Sequence, residues 1–408
     1  MKMTSGFRKF LLLWLGGLIS QIGGGLTSFG LGVYVFNRTG RAADVAFITL
    51  IGFLPSLILS VPAGVLADKY DRRLLMMIGD GCSGAGVAFI LLCMIMGKVT
   101  LIRIYIGIFF SSVFSSLLEP SYRATITDLL AKEEFSKAGG LVSLAGSAKY
   151  LFSPVIAGIL LSISDVKLLL LIDISTFILT VICTAAVRKR IENKKSKTAD
   201  SFFLRLKEGW EAVYERKGVM MLLVVTSVVT LFMGVFQVLA APTILSFSDS
   251  KTLGITETIC ACGMLISGIV LGLRGIKKRF LTVLSVSLVL AGLFMVGFSA
   301  FENIPLMCLF GFFFFAALPF ANNCLDYLTR ANIPDAFQGR AWGLIGFLSQ
   351  LGYVVAYTVS GMAADGLSVL TERGVGRGSA MMIGISGIGL IVIASSIPRI
   401  KTIRDIET

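Results

Sequence analysis

Histidine is absent from the 408-residue chain. That removes the side chain most often used as a neutral-pH general base or proton relay. It also leaves the seven cysteines without the usual partner in mixed zinc sites, and their spacing fits no zinc site. Cys82, Cys93, Cys183, Cys308, Cys324 and the Cys260-x-Cys262 pair all lie inside apolar runs. No metal and no cofactor is expected. Charge is scarce too: 15% of residues are Asp, Glu, Lys or Arg, against roughly 25% in soluble domains. No G-x-x-x-x-G-K-[ST] stretch occurs, which excludes nucleotide hydrolysis through a P-loop. No nucleophile–base constellation is clustered in the sequence, so the chain does not read as an enzyme.

Apolar residues fill the space left by charge. Residues of the set AVILMFWYC make up 55% of the chain, and the mean hydropathy is +0.87. A transmembrane helix needs about 20 mainly apolar residues. Segments of that kind fall near 7–36, 42–67, 72–97, 100–131, 135–163, 167–188, 218–247, 252–273, 280–299, 302–332, 336–365 and 378–398. The expected fold is an all-α membrane protein of twelve spans in two six-helix bundles, 1–188 and 218–408. The basic connector 189–217 joins them, and FFLRLKEGWEAVYE within it reads as a short amphipathic surface helix. No cleavable signal peptide is expected, because the first apolar run is long and leads straight into further spans.

The net charge is +13, and its placement decides its meaning. With both termini in the cytoplasm, most of the 37 Lys and Arg fall on the cytoplasmic side, including the run from Arg188 to Lys217. Few fall outside, Arg38, Arg41, Lys98 and Arg103 among them. The basic balance then reports orientation in the cell inner membrane and calls for no nucleic acid.

The two halves echo each other. LLEPSYRATITDLLAKEEFSKAGGL (117–141) is matched by ALPFANNCLDYLTRANIPDAFQGRAWGL (317–344), pairing Pro120 with Pro319, Phe135 with Phe337, Gly140 with Gly343 and, further on, Gly158 with Gly361. Like halves of parallel topology suggest alternating access around a midplane site.

Between spans two and three stands Gly64-Val-Leu66-Ala-Asp68-Lys69-Tyr-Asp71-Arg72-Arg73. The run resembles the signature loop G-x-L-a-D-r-x-G-r-k of the major facilitator superfamily. Gly64, Leu66, Asp68, Lys69, Arg72 and Arg73 match, while Asp71 replaces a glycine and is expected to N-cap span three. On physical grounds Gly64 would let two helices approach closely. Asp68 could accept hydrogen bonds from Arg72 or a neighbouring helix N-terminus, forming a charged latch at the cytoplasmic gate. Alternatively, Lys69, Arg72 and Arg73 serve orientation only.

Arg103-x-x-x-Gly107 resembles the span-four motif R-x-x-q-G of proton-coupled drug exporters, with Ile106 in place of Gln. Lys149-x-x-x-Ser153-Pro154-x-x-Ala157-Gly158 falls where exporters carry g-x-x-x-G-P-x-x-G-G, and only Pro154 and Gly158 match. Across most of the chain the pattern is similar to the macrolide-efflux branch, carried by GFLPSLILSVPAGVLADKYDRRLLMMIGD, LIDISTF and PDAFQGRAWGLIGFLSQLGYVVAYTVSGMAADG. Enterobactin exporters share much of it. The resemblance implies a monomeric secondary exporter of a bulky amphipathic, macrolide-like compound in exchange for protons. A siderophore or lysophospholipid exporter or flippase is the alternative.

Ionisable residues inside spans are costly and invite functional readings. Glu119–Arg123 and Asp326–Arg330 share the i,i+4 spacing, so each pair can meet on one helix face. They read either as self-neutralising pairs or as proton and charge-coupling groups, with Glu119 exchanging between Arg123, Lys149 and a proton. Asp80 and Asp173 fall in spans three and six, where a structural hydrogen-bonding role competes with coupling. Arg103 either polarises a carboxylate or reaches the outer surface. Gln21 beside Gly23-Gly24-Gly25, together with Gln237, Asn322, Asn323, Phe232 and Phe236, are the candidates for the substrate cavity. The three glycines read either as a bend lining that cavity or as close helix packing.

Overall fold

The computed structural model describes residues 4–188, 214, 217–333 and 345–407. Most of the connector, with its expected surface helix, lies outside them, and so do Phe337 and Gly343 of the repeat. The described residues contain no strand, and twelve helical stretches are long and apolar enough to cross a membrane. Hydrocarbon offers the backbone no water, so each spanning segment must satisfy its own N–H and C=O groups as a helix.

Chain-order labels are α1 (Ser5–Thr39), α2 (Ala42–Lys69), α3 (Arg72–Ile95), α4 (Leu101–Ser115), α5 (Leu118–Leu129), α6 (Phe135–Ile163) and α7 (Val166–Arg188). They continue with α8 (Lys217–Leu245), α9 (Ser250–Arg274), α10 (Phe280–Ala300), α11 (Ile304–Ala331), α12 (Leu351–Thr371), α13 (Gly374–Ser396) and the short α14 (Lys401–Glu407). The expected spans recur within a few residues, save two. Span four is divided into α4 and α5 at Ser116–Leu117, where Pro120 has no N–H to bond the Ser116 carbonyl. The eleventh span reaches Thr371 rather than 365, and its expected first residues are not described.

Caps set several boundaries. Asp71 N-caps α3 as expected, accepting from the Arg73 backbone N–H at 3.1 Å. Asp249 caps α9 and Asn303 caps α11 in the same way.

The chain forms two compact units, residues 1–35 with 48–199, and 36–47 with 200–408. In the first, Leu31, Val35, Ile48, Val87, Ile90, Ile104, Leu170 and Phe177 join α1, α2, α3, α4 and α7 in one apolar cluster. Gly86 and Gly107 set the α3–α4 approach: a Cβ on Gly86 would lie 2.7 Å from the Gly107 carbonyl oxygen. The glycine of the Arg103-x-x-x-Gly107 motif is therefore a packing position.

In the second unit α10 packs on α11 and α13, α9 on α11, and α8 on α12 and α13. The first turn of α2 also belongs to this unit. Its Ala42 and Ala43 backbone N–H groups donate to Asp365 of α12 at 2.9 and 3.1 Å. Gly361, one turn earlier, makes room for that end: a Cβ there would lie 2.6 Å from Ala43 Cα.

Candidate functional site

At the α2–α3 end of the first unit, the basic residues of the loop meet an acid that the sequence reading missed. Arg72 donates to Asp128 Oδ1 of α5 at 2.7 Å and to the Ala124 carbonyl at 3.0 Å. Arg73, 4% exposed, reaches Asp128 Oδ2 at 3.5 Å. Asp68 stands 3.8 Å from Arg72 and is mostly exposed, while Lys69 lies over the Tyr70 ring. Asp71 carries a second bond, from Arg188 Nε of α7 at 2.7 Å. Burial alone would raise the Asp71 carboxyl. The Arg188 bond and the Arg73 and Leu74 backbone N–H groups outweigh it and hold the carboxyl below its ordinary value.

Two expectations here need correction or narrowing. Gly64 makes no close helix approach, because a Cβ there would meet nothing within 4 Å. Arg72 and Arg73 do more than balance charge: Asp128 ties both to α5. The only signal for Asp128 in the sequence is its place at the end of span four, beyond Arg123.

Deeper in the first unit, four helices converge on Asp173 of α7, which is 1% exposed. Thr27 of α1 donates to its Oδ2 at 2.5 Å, and Thr176 contacts Oδ1 at 3.4 Å. Lys149 of α6 stands close enough for its charge to bear on this carboxylate. Asp80 of α3, 2% exposed, feels the Asp173 charge in turn. Ser153 donates to the Ile22 carbonyl at 3.0 Å, tying α6 to α1.

Gly23 and Gly25 make this convergence possible. A Cβ on Gly23 would lie 2.5 Å from Thr176 Oγ1 and 2.8 Å from Asp173 Oδ1, and one on Gly25 would crowd Ser153 and Lys149. Gly24 faces open space, and α1 runs unbroken through all three glycines. Gly23 and Gly25 are close-packing positions and Gly24 is not. Gln21 beside it is half-buried.

Sequence reading named Asp80, Asp173 and Lys149 separately. The structure brings them together and sets Glu119 apart. Glu119 pairs with Arg123 at 2.8 Å, as the spacing suggested, and both side chains are mostly exposed. The corresponding pair in the second half does not form: Asp326 makes no ion pair among the described residues. Arg103 donates to the Lys98 carbonyl at the start of its helix.

In the second unit Gln237 is exposed on α8 and accepts from the Tyr357 hydroxyl at 2.7 Å. Asn322 and Asn323 are exposed on α11. Phe232 rests where Gly389 of α13 leaves space. Phe236 cannot line an open cavity. It is 3% exposed and stacks on Phe314 at 4.3 Å, with Phe298 at 4.8 Å and Phe315 at 5.9 Å. Aromatic rings of that size gain more by interlocking than by standing open.

One carboxylate escaped the sequence reading altogether. Glu257 lies within α9, half-buried, with Cys260 one turn on. The signal was present: a lone Glu in a run that is otherwise apolar or weakly polar. Among the described residues no group of three or more His, Cys, Asp or Glu could hold a metal ion.

The chain is similar to macrolide efflux protein A of Streptococcus pyogenes, 27% identical over 414 aligned positions covering 98% of this chain and 97% of that one. It is also similar to the enterobactin exporter EntS of Shigella flexneri, at 28% over 158 positions and 38% of each chain. Among solved structures, a bacterial homologue of the human lysosomal transporter Spinster, inward-facing and unoccupied, aligns with a TM-score of 0.75 at 12% identity. It covers 100% of this chain and 99% of that one. The relatives mark a multi-pass membrane exporter of small molecules, not an enzyme. Residues 13–357 match the Major Facilitator Superfamily model, and the chain belongs to that superfamily.

Proposed function

We propose that this exporter moves a bulky amphipathic compound of the macrolide type out of the cell, by alternating access and in exchange for protons. It would work as a monomer in the inner membrane with both termini in the cytoplasm. The bundles 1–188 and 218–408 are the two moving bodies, and 189–217 joins them. Similarity to macrolide efflux protein A over nearly the whole chain supports the substrate class.

The observation that supports proton coupling best is the interior of the first unit. Two nearly inaccessible carboxylates, Asp80 and Asp173, feel each other's charge, and one ammonium, Lys149, bears on Asp173. An uncompensated charge at membrane depth costs about 2.5–3.5 kcal/mol on translocon scales. One ammonium balances one acid, and a proton is the smallest ion that balances the other. Motions that part Lys149 from Asp173 would then call for a second proton. Glu119–Arg123, more exposed, is the second place where a proton can replace a cation. Asp68, mostly exposed and held only by Arg72 at 3.8 Å among the described residues, is available to dock and undock as the gate changes state.

The test is accumulation of a radiolabelled macrolide in efflux-deficient cells, with and without the protein, before and after a protonophore. Lower accumulation that the protonophore abolishes is the expected result. Unchanged accumulation would sink the macrolide substrate and bring forward a siderophore, which the partial match to an enterobactin exporter favours. Export that ignores the protonophore would sink proton coupling.

A further inference from the structure

The second unit holds a membrane-depth carboxylate that no described Lys or Arg pairs with. Glu257 stands nine residues before Ile266, about two and a half turns of α9, so the two side chains leave opposite faces of the helix. Ile255, Ile259, Ile266 and Val270 form the exposed apolar face. Glu257 therefore points inward. Thr256, Cys260 and Gly263, to one side of it, are buried against α11: Cys308 Sγ lies 3.6 Å from Thr256 Oγ1, and Gly311 abuts Cys260. Glu257 itself is only half-buried, so its inward face borders free space.

No hydrogen bond or ion pair to a described residue holds its carboxylate. Every described Lys and Arg of the second unit stands in a connector or within a turn of a helix end. None lies at mid-helix, as Lys149 does in the first unit. The aromatic cluster is close by. Gly311, which abuts Cys260, also lies against Phe298, and Phe314 and Phe315 follow on the next turn of α11, with Phe236 stacked on Phe314 and edge-on to Phe315. A lone carboxylate beside free space, with an aromatic wall within a turn or two, is the chemistry that receives a bulky organic cation.

We propose that Glu257 is the residue that recognises a cationic, amine-bearing substrate in the second unit. This deepens the export reading and rests on it for the compound moved, but not for the binding chemistry. A protonated tertiary amine supplies the positive charge that the helices omit, and its apolar body lies against Phe315 and its neighbours.

The test uses the full chain in detergent and then in proteoliposomes. Tetraphenylphosphonium, a permanent hydrophobic cation, should bind the wild type and lose at least tenfold in affinity to Glu257→Gln, with Glu257→Asp between them. In proteoliposomes Glu257→Gln should lose at least tenfold in transport of a macrolide bearing a dimethylamino sugar. Transport of the neutral amide analogue, in which an acyl group replaces one N-methyl of that sugar, should stay within twofold. Loss of both compounds together, or of neither, overturns the assignment; equal loss points to a proton or packing role.

If Glu257→Gln does not fold, the wild type still decides. Tetraphenylphosphonium should displace the bound macrolide and the neutral triphenylphosphine oxide should not, and equal competition overturns the assignment. A wild type that moves neither macrolide defeats the macrolide reading alone. Tetraphenylphosphonium binding and its dependence on Glu257 then decide the cation site by themselves.

Discussion

In the first unit the carboxylate of Asp173 has Thr27, Thr176 and the Lys149 ammonium around it; in the second, Glu257 has none of these. Both acids sit inside helices that cross the membrane, so the difference lies in what surrounds them. A buried charge is tolerated when hydrogen bonds and an opposite charge replace water. The first unit supplies both, which makes Asp173 a fixed part of the bundle with a built-in partner. The second supplies neither and leaves space instead. The contrast separates an acid whose business is internal, with Lys149 and a proton, from one whose partner must arrive from outside.

The sharpest way to break the contrast is to remove the resident pair. Asp173→Asn keeps a hydrogen-bond acceptor for Thr27 but strands the Lys149 ammonium. Breaking a contacting buried pair from one side costs about 3–5 kcal/mol; the cost here should be smaller, because Lys149 is only half-buried and no ion pair within 4 Å joins it to Asp173. Export should fall more than tenfold, and the melting temperature in detergent should drop by several degrees. The double variant Asp173→Asn with Lys149→Met should recover much of the stability and none of the export. If the single variant melts normally, Lys149 is not the partner. Glu257→Gln should be close to neutral for stability, since no cation is stranded.

The glycine triplet offers the next test. Gly23→Ala drives a methyl against Thr176 and the Asp173 carboxylate, and overpacking of this kind costs about 1–3 kcal/mol. Gly24→Ala meets nothing and should stabilise by up to about 1 kcal/mol through helix propensity. Thermal unfolding of the two variants should move in opposite directions. Equal shifts would mean that the α1–α7 contact is looser than drawn.

The loops of the two units differ as their interiors do. Between α2 and α3, Asp128 gathers Arg72 and Arg73. Between α9 and α10 the run Arg274–Arg279 carries bases without an acid of its own. Asp128→Asn should lower stability by about 1–2 kcal/mol, as expected for lost hydrogen bonds to charged groups. Asp68→Asn, at an exposed and weakly paired carboxylate, should leave the melting temperature unchanged and cut export severely. Normal export by Asp68→Asn would end the latch reading.

How far the sequence could be read follows from the distances involved. Spans were legible because about 20 apolar residues in a row have one explanation in water and lipid. The Asp71 cap and the Glu119–Arg123 pair were legible because each is decided within a turn. Asp326 and Arg330 share that spacing and still do not pair, because spacing permits a contact without compelling it. The gathering of Thr27, Asp80, Lys149 and Asp173 joins residues up to 146 positions apart, and only the packing of helices decides it. Asp365 at the α2 N-terminus, 323 positions away, was out of reach for the same reason. Phe236 looked like a cavity wall because composition does not say which way a ring points. Glu257 is legible as a lone charge in an apolar run, but it has no base at the i,i+4 spacing, and its setting depends on how α9 packs on α11.

The smallest expected effect concerns the charge of Asp71. Its folded carboxyl is held below the ordinary 3.8 by Arg188 and by backbone N–H groups that prevail over burial. A depressed acid stabilises the fold above its unfolded value, and that stability is lost as pH falls through the lower, folded one. Asp71→Asn keeps the cap on α3 and removes the Arg188 ion pair. The pair is about two-fifths exposed on the arginine side, so screening reduces it to about 0.5 kcal/mol. The variant should therefore melt slightly below the wild type at neutral pH. The two should converge as the pH falls below the ordinary 3.8 and through the lower folded value, where the wild-type carboxylate takes its proton. A difference that persists at low pH would assign the loss to the cap geometry and not to the charge.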